Sequence, residues 1–180
     1  MGEPTETEVK LRVASPEAAR EAVARIGAER VRERHFEDNV LFDGVGGPLR
    51  AAGGVLRIRI TPAGSVFTFK GPRRIQDGIK SREERETSVQ EPEALQAILA
   101  GIGYHPVFRY QKYRETWKHR GQEIVIDETP IGTWLEIEGD PDGIRAVTAE
   151  LGYGPSDYLV DSYVDLFFSQ GGEGDMTFDP

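Results

Sequence analysis

Glu6, Glu8, Lys10 and Arg12 stand two residues apart in the stretch TETEVKLRV, residues 5–13. Side chains at i and i+2 of an extended strand leave the same face, so these four charges share one side. Val9, Leu11 and Val13 share the other. An ordinary half-buried strand mixes Ser, Thr and Gln into its wet face; this one carries formal charges alone. Two carboxylates delivered to one side can grip a hard cation, and two bases can meet an anion.

The same alternation recurs along the chain. In 55–60, Arg57 and Arg59 oppose Leu56, Ile58 and Ile60. In 65–70, Thr68 and Lys70 oppose Phe67 and Phe69. In 108–117, Tyr110, Lys112, Arg114 and Thr116 form one face. In 122–127, Glu123, Val125 and Asp127 oppose Ile124 and Ile126; in 133–139, Trp134, Glu136 and Glu138 oppose Leu135 and Ile137. The 80–89 strand is polar on both faces, with Lys80, Arg82, Glu84 and Glu86 on its charged side. Bases come from 55–60, 65–70 and 108–117, acids from 5–13, 122–127 and 133–139. A single charged face is normally just a solvated one. Concordance over six strands, with the charge types sorted by strand, points instead to a sheet curled so that its charges line a lumen, which also removes its edges. A charged lumen costs desolvation, so a bound ligand and metal ions are the expected compensation.

Those strands need a scaffold. SPEAAREAVARIG (15–27), EPEALQAILAGIG (91–103) and DPDGIRAVTAELG (140–152) repeat one design, with Gly eleven positions after Pro. Pro suits the first helical position, the acids beside it suit the positive helix end, and Gly stops the helix. Each carries an apolar stripe able to cover the strands' apolar faces. A fourth helix is expected at 156–168 and a shorter strand at 36–42. Short turns make the strands mostly antiparallel.

The chain has 180 residues, enough for one domain, and a net charge of −9, which argues against nucleic acid or anionic lipid as a partner. No apolar run approaches the ~20 residues of a membrane span. The acidic N-terminus lacks a secretory core, so a cytoplasmic location is expected. The absence of cysteine excludes thiol catalysis and thiolate metal sites. The domain is expected over 1–170, with the Gly-rich, acidic segment 171–180 as a mobile tail. His35, His105 and His119 lack metal-type spacing and read as surface residues.

Glu6-x-Glu8-x-Lys10 followed in order by LRIR (56–59), TFKGP (68–72), REERE (82–86), KYR (112–114) and DETPIGTWLEIEG (127–139) resembles the CYTH, or triphosphate tunnel metalloenzyme, superfamily. The likeness runs from residue 6 to about 168 and is greatest to class IV adenylate cyclase-type members, a group that also contains triphosphatases. The resemblance implies an α+β fold: a closed antiparallel eight-stranded β-barrel, a triphosphate tunnel with a charged lumen, and flanking helices outside.

It also implies roles. Arg57, Arg59, Lys70, Lys112 and Arg114 would contact the triphosphate, joined by Lys10 and Arg82; arginine offers a bidentate fork and lysine a movable point charge. Glu6, Glu8, Asp127, Glu136 and Glu138, with Glu84 and Glu86 behind them, would hold Mg2+ or Mn2+. The expected substrate is a small-molecule triphosphate, ATP or tripolyphosphate. A cyclase would turn ATP into cyclic AMP and pyrophosphate. The alternative is a triphosphatase acting on tripolyphosphate, thiamine triphosphate or a nucleoside triphosphate; a non-catalytic polyphosphate-binding module would gain nothing from the lumen acids. Metal-activated water or hydroxyl suffices as nucleophile, with Lys112 the alternative general base. The segment DNVLFD (38–43) departs from the Asp-x-Tyr-Phe type expected of cyclase relatives. Arg50, Arg73 and Arg74 read as surface loop residues, and Ser162 and Tyr163 as core packing.

Overall fold

In the computed structural model, which describes residues 5–179, the alternating stretches become strands and the Pro-to-Gly segments become helices. The order is β1 (Thr5–Val13), α1 (Pro16–Arg25), β2 (Glu29–Gly44), α2 (Pro48–Ala51), β3 (Val55–Thr61), β4 (Gly64–Lys70), β5 (Arg74–Gln76), β6 (Ile79–Val89), α3 (Pro92–Gly101), β7 (Tyr104–His119), β8 (Gln122–Thr129), β9 (Gly132–Glu138), α4 (Pro141–Glu150) and α5 (Tyr163–Ser169). Helix starts follow their side-chain chemistry: Ser15 accepts from Ala18 N at 3.2 Å and Asp140 from Gly143 N at 2.9 Å. The stop glycines Gly27, Gly103 and Gly152 have φ of 78°, 92° and 90°, a region where a side chain would be strained.

Strands β1-β9-β8-β7-β2-β3-β4-β6 pair antiparallel in that order, and β1 pairs β6 as well as β9, which closes an eight-stranded barrel. The short β5 adds to the edge of β6. Directly paired residues point the same way, so the register brings the charged faces inward: Glu8 meets Lys80 and Glu138, Lys10 meets Glu136, Lys112 meets Glu37 and Arg114 meets Asp127. The apolar faces turn outward under the helices. Ala19 and Val23 of α1 and Ile144 and Val147 of α4 bury Val9, Leu11, Ile124, Ile126, Leu135 and Ile137; α3 brings Leu99 to Phe42 and Ile58.

One strand and one helix differ in extent from the sequence reading. β2 runs 29–44 rather than 36–42, because its first half, charged on both faces, continues the ladder with β7. α5 starts only after the Ser162 cap, not at 156, because Leu159 is used as strand: it exchanges backbone hydrogen bonds with Lys10. That placement has a cause in the barrel. Pairing of β1 with β6 stops at Glu8, and pairing of β7 with β8 starts only at Tyr113, so each seam opens at one end. The C-terminal segment fills both. Met176 donates to Arg109 O at 3.0 Å and accepts from Gln111 N at 2.9 Å, and Phe178 meets the Tyr113 ring. Residues 175–178, within the segment 171–180 expected as a tail, thus pack against β7; the Gly-rich composition masks Met176, which is fully buried with Phe108, Tyr110, Trp134 and Tyr163.

Candidate active site

Inside the barrel lies a cavity of 450 Å3. Lys10, Arg57, Arg59, Lys70, Arg82, Lys112 and Arg114 all line it, as do Glu6, Glu8, Glu84, Glu86, Glu136 and Glu138. Lys80 and Glu123, which the alternation places on the inner faces, line it too. Of the fourteen charged residues given triphosphate or metal roles above, only Asp127 does not reach the cavity surface.

Asp127 is instead a fully buried hub behind the wall. Its Oδ1 accepts from Arg114 Nε at 2.7 Å; its Oδ2 accepts from Arg114 Nη2 at 2.5 Å, Lys112 Nζ at 2.9 Å and Tyr163 Oη at 2.8 Å. Four donors leave this carboxylate little capacity for a metal ion. Burial, followed by Asp127 and Glu136, pushes the Tyr163 hydroxyl well above the usual phenol range, which keeps it a donor. Lys112 is held from the opposite side by Glu37, 3.6 Å away. Glu37 is buried; burial opposes its charge, yet Lys112, His35 and Arg114 hold it far below the ordinary carboxylate range. The sequence reading missed Glu37 as a site residue. Its signal is the inward alternation His35, Glu37, Asn39, Leu41 along β2. His35 accordingly lies half-buried, 3.4 Å from Glu37, and His119 sits against Glu150 at 2.9 Å, so neither is a free surface residue.

The remaining charges pair across the lumen. Lys70 reaches Glu6 at 2.7 Å and Glu84 at 2.9 Å, Lys10 reaches Glu136 at 3.0 Å, Arg59 reaches Glu86 at 3.3 Å, and Lys80 pairs with Glu8. One Lys70 ammonium cannot neutralise two buried acids. Although burial opposes its charge, Glu6 is drawn down to about 2 by Lys70, whereas burial and the Glu6 charge push Glu84 up to about 7. Glu138, at the mouth, is also pushed up to about 7, by burial and then by Glu6, Glu8 and Glu123. Arg57 is raised: burial opposes its charge, but Tyr110, Glu37 and Glu84 outweigh it. Arg59 is lowered by burial and by its neighbour Arg57, so it is the less neutralised of the two.

These shifts set a pH dependence. Glu84 and Glu138 bind protons more tightly folded than unfolded, so their contribution to stability is complete below their ordinary value of 4.5 and is lost as pH rises through about 7. Glu6 acts oppositely, losing its contribution as pH falls from 4.5 through about 2. In chelator, the melting temperature should therefore be higher at pH 5 than at pH 8, and Mg2+ should recover the loss at pH 8. Thermal melts check this; a profile flat from pH 5 to pH 8 would mean that the acids do not crowd.

The acid-rich mouth fits a divalent cation in a particular way. Among the described residues no three acidic or histidine side chains are arranged to hold one ion. Mg2+, however, characteristically binds through one or two carboxylates together with substrate phosphates. Glu138, with Glu8 or Glu123 beside it, supplies such a donor pair, and the upward displacement of Glu138 marks negative charge in excess of the local bases.

The model of the CYTH domain family matches residues 4–151. The chain belongs to the CYTH family. This makes it an enzyme of the CYTH type; the family acts on small-molecule triphosphates, and membership implies a divalent metal. A curated Methanocaldococcus jannaschii protein, "Putative adenylate cyclase MJ0240", is 28% identical over 134 residues, 74% of this chain and 75% of that protein. A Vibrio parahaemolyticus structure, likewise named an adenylate cyclase of putative standing, superposes with a TM-score of 0.80 at 21% identity, over 93% of this chain and 99% of the other. The Hippeastrum protein HpAC1, whose name couples adenylyl cyclase with a dominant triphosphatase activity, gives 0.70 at 22% identity, over 93% and 97%. At these identities the two structures speak for the fold alone. No helix among the described residues is long and apolar enough to cross a membrane.

Proposed function

We propose that this CYTH protein holds a linear triphosphate in the barrel and converts ATP to cyclic AMP and pyrophosphate with the help of Mg2+ or Mn2+. The observation that carries the reading is the closed wall itself: cations from β1, β3, β4, β6 and β7 face one cavity whose mouth is crowded with carboxylates. Such preorganised charge suits phosphoryl chemistry, in which positioning and charge neutralisation do most of the work.

Arg59, Arg57, Lys70, Arg82 and Lys10 would replace their present carboxylate and carbonyl partners with phosphate oxygens. Lys112 and Arg114 would present the cation faces that Asp127 and Glu37 leave free. Lys112 fits a fixed cation better than a general base, because two carboxylates compete for its hydrogens. Glu138 with Glu8 or Glu123, and Glu136 behind them, would hold the metal, which supplies charge neutralisation at the phosphates. The 3′-hydroxyl oxygen of the ribose attacks the α-phosphorus, the bond from that phosphorus to the bridging oxygen breaks, pyrophosphate leaves, and the hydroxyl proton goes to solvent.

Hydrolysis is the second reading. It is favoured by the triphosphatase activity in the name of the Hippeastrum structure and by a mouth that admits water. Product analysis tests both. ATP and tripolyphosphate are incubated separately with Mg2+ and then Mn2+. Cyclic AMP with pyrophosphate from ATP is the expected result. Orthophosphate without cyclic AMP would replace the first reading with the second, and no turnover or binding of either would overturn both.

A further inference from the structure

We propose that Asn39 is a positioning residue for the phosphate clamp: when a triphosphate draws Arg59 away from Glu86, the buried Asn39 amide receives the Arg59 guanidinium from behind and fixes its fork toward the phosphates. The inference rests on the triphosphate reading above and gives that site a residue that is not part of the cavity surface.

Asn39 stands on the inward row of β2, between Glu37 and Leu41. It is paired directly with Arg59 of β3 on one side and with Tyr110 of β7 on the other. Side chains paired in this way on one face start about 4.5–5.5 Å apart at Cβ. Arg59 and Tyr110 line the cavity; Asn39 lies behind them, with no solvent exposure. Its Oδ1 and Nδ2 both lack a hydrogen-bond partner among the described residues. Buried amides are seldom left unpaired, because each such atom loses its hydration without return. His35 Nε2, Glu37 Oε2 and Arg57 Nε are buried without a hydrogen-bond partner as well. Five of the eight such side-chain atoms among the described residues thus gather behind one wall of the cavity, so the deficit belongs to the site rather than to the fold at large.

Arg59 is held loosely from the front. It spends one nitrogen, Nη2, on Glu86, at 3.3 and 3.5 Å from the two carboxylate oxygens. Glu86 does not depend on it: Thr68 donates to Glu86 Oε1 at 2.8 Å, and Arg57 Nη2 lies 3.4 Å from the same oxygen. A polyanion can therefore take Arg59 without stranding that acid. An arginine that grips phosphate with two parallel N–H bonds keeps further donors pointing back toward its own strand. Asn39 Oδ1 is the free acceptor on that side. The inner face of β2 is within electrostatic reach, since the Glu37 charge acts on both Arg57 and Arg59. A neutral amide suits the place, because it accepts a guanidinium hydrogen without competing, as a carboxylate would, for the positive charge that the phosphates need.

The test is a double-mutant cycle on the intact chain, read by calorimetric titration with tripolyphosphate, with Ca2+ in place of Mg2+ to slow turnover. Asn39→Leu keeps the branched shape and removes both polar atoms. It should weaken binding about tenfold, the lower end of what a hydrogen bond to a charged group contributes, and leave the ligand-free melting temperature unchanged or higher. In an Arg59→Ala background the same change should cost no further affinity, since the amide acts through that guanidinium. Asn39→Ala, which cannot overpack the row, carries the same cycle where Leu disturbs folding. Unchanged affinity in Asn39→Leu, or an equal loss with and without Arg59, would overturn the inference and leave the proposed function standing. So would a lowered melting temperature at unchanged affinity, the result expected of an amide satisfied by ordered water in a purely structural role. Failure of the unaltered chain to bind tripolyphosphate would overturn the proposed function and this inference together.

Discussion

Asp127→Asn is expected to lower the melting temperature by about 6–20 °C and to abolish turnover. Asp127 has no solvent exposure and receives hydrogen bonds from Arg114, Lys112 and Tyr163. Removing its charge leaves two buried cations without their common partner, and the new amide turns a donor toward existing donors. Breaking a buried ion pair in this manner costs about 3–5 kcal/mol. For a chain of this size each kcal/mol moves the midpoint by roughly 2–4 °C. The functional loss follows because Asp127 is the carboxylate that Lys112 and Arg114 share, and it fixes both against the cavity. Calorimetric or circular-dichroism melts in chelator check the claim, with Glu138→Gln as the contrasting variant. Glu138 has no base partner among the described residues and stands beside Glu6, Glu8 and Glu123, so neutralising it should leave the metal-free melting temperature unchanged or higher. A loss of less than about 2 °C in Asp127→Asn would return Asp127 to the metal ligands that the resemblance implies.

The contrast between these two acids shows where the sequence is informative. Alternation is a property of neighbours in the chain, so it correctly turns Arg57, Arg59, Lys112, Arg114, Glu136 and Glu138 to one side. The helix signals Pro and Gly are local as well, and the three repeats end where their glycines stand. Whether an inward acid meets a base or another acid depends on strand register across the barrel. Glu136 and Glu138 are two residues apart, yet Glu136 lies opposite Lys10 and Glu138 opposite Glu8. The same limit hid Glu37, whose relevance comes from its position opposite Lys112. It hid the C-terminal segment too, because the seams that Leu159 and Met176 fill exist only where two distant strand pairings end. Arg50 and Arg73 look like surface loop residues in one dimension because the cavity they line together, beside the phosphate cavity, is assembled from β2, β3, β7 and α5.

Arg59→Ala should weaken tripolyphosphate binding by roughly ten- to hundredfold while leaving the ligand-free chain as stable as before or more so. The adjacent Arg57 predicts a different outcome, although both arginines project from one face of β3. Arg57 is nearly buried, donates to Tyr110 at 3.2 Å and to Thr68 at 3.3 Å, lies 3.4 Å from Glu86, and has its charge favoured by these surroundings. Arg59 has Glu86 as its carboxylate partner, shares that partner with Arg57, and has its charge disfavoured by burial and by Arg57 and Arg114. A cation whose own surroundings under-neutralise it gains most from an incoming polyanion, and the wall loses least when it is removed. One lost hydrogen bond to a charged group is worth about 1.5–3 kcal/mol, which sets the affinity change. Arg57→Ala should lose affinity and stability together, because it strands the Tyr110 hydroxyl and takes a donor from Thr68 and Glu86 as well as from the ligand. Calorimetric titration with tripolyphosphate, paired with melts of both ligand-free variants, separates the two cases. Unchanged affinity in Arg59→Ala would remove it from the clamp, and a melting temperature lowered as far as in Arg57→Ala would make it part of the barrel's internal salt-bridge network instead.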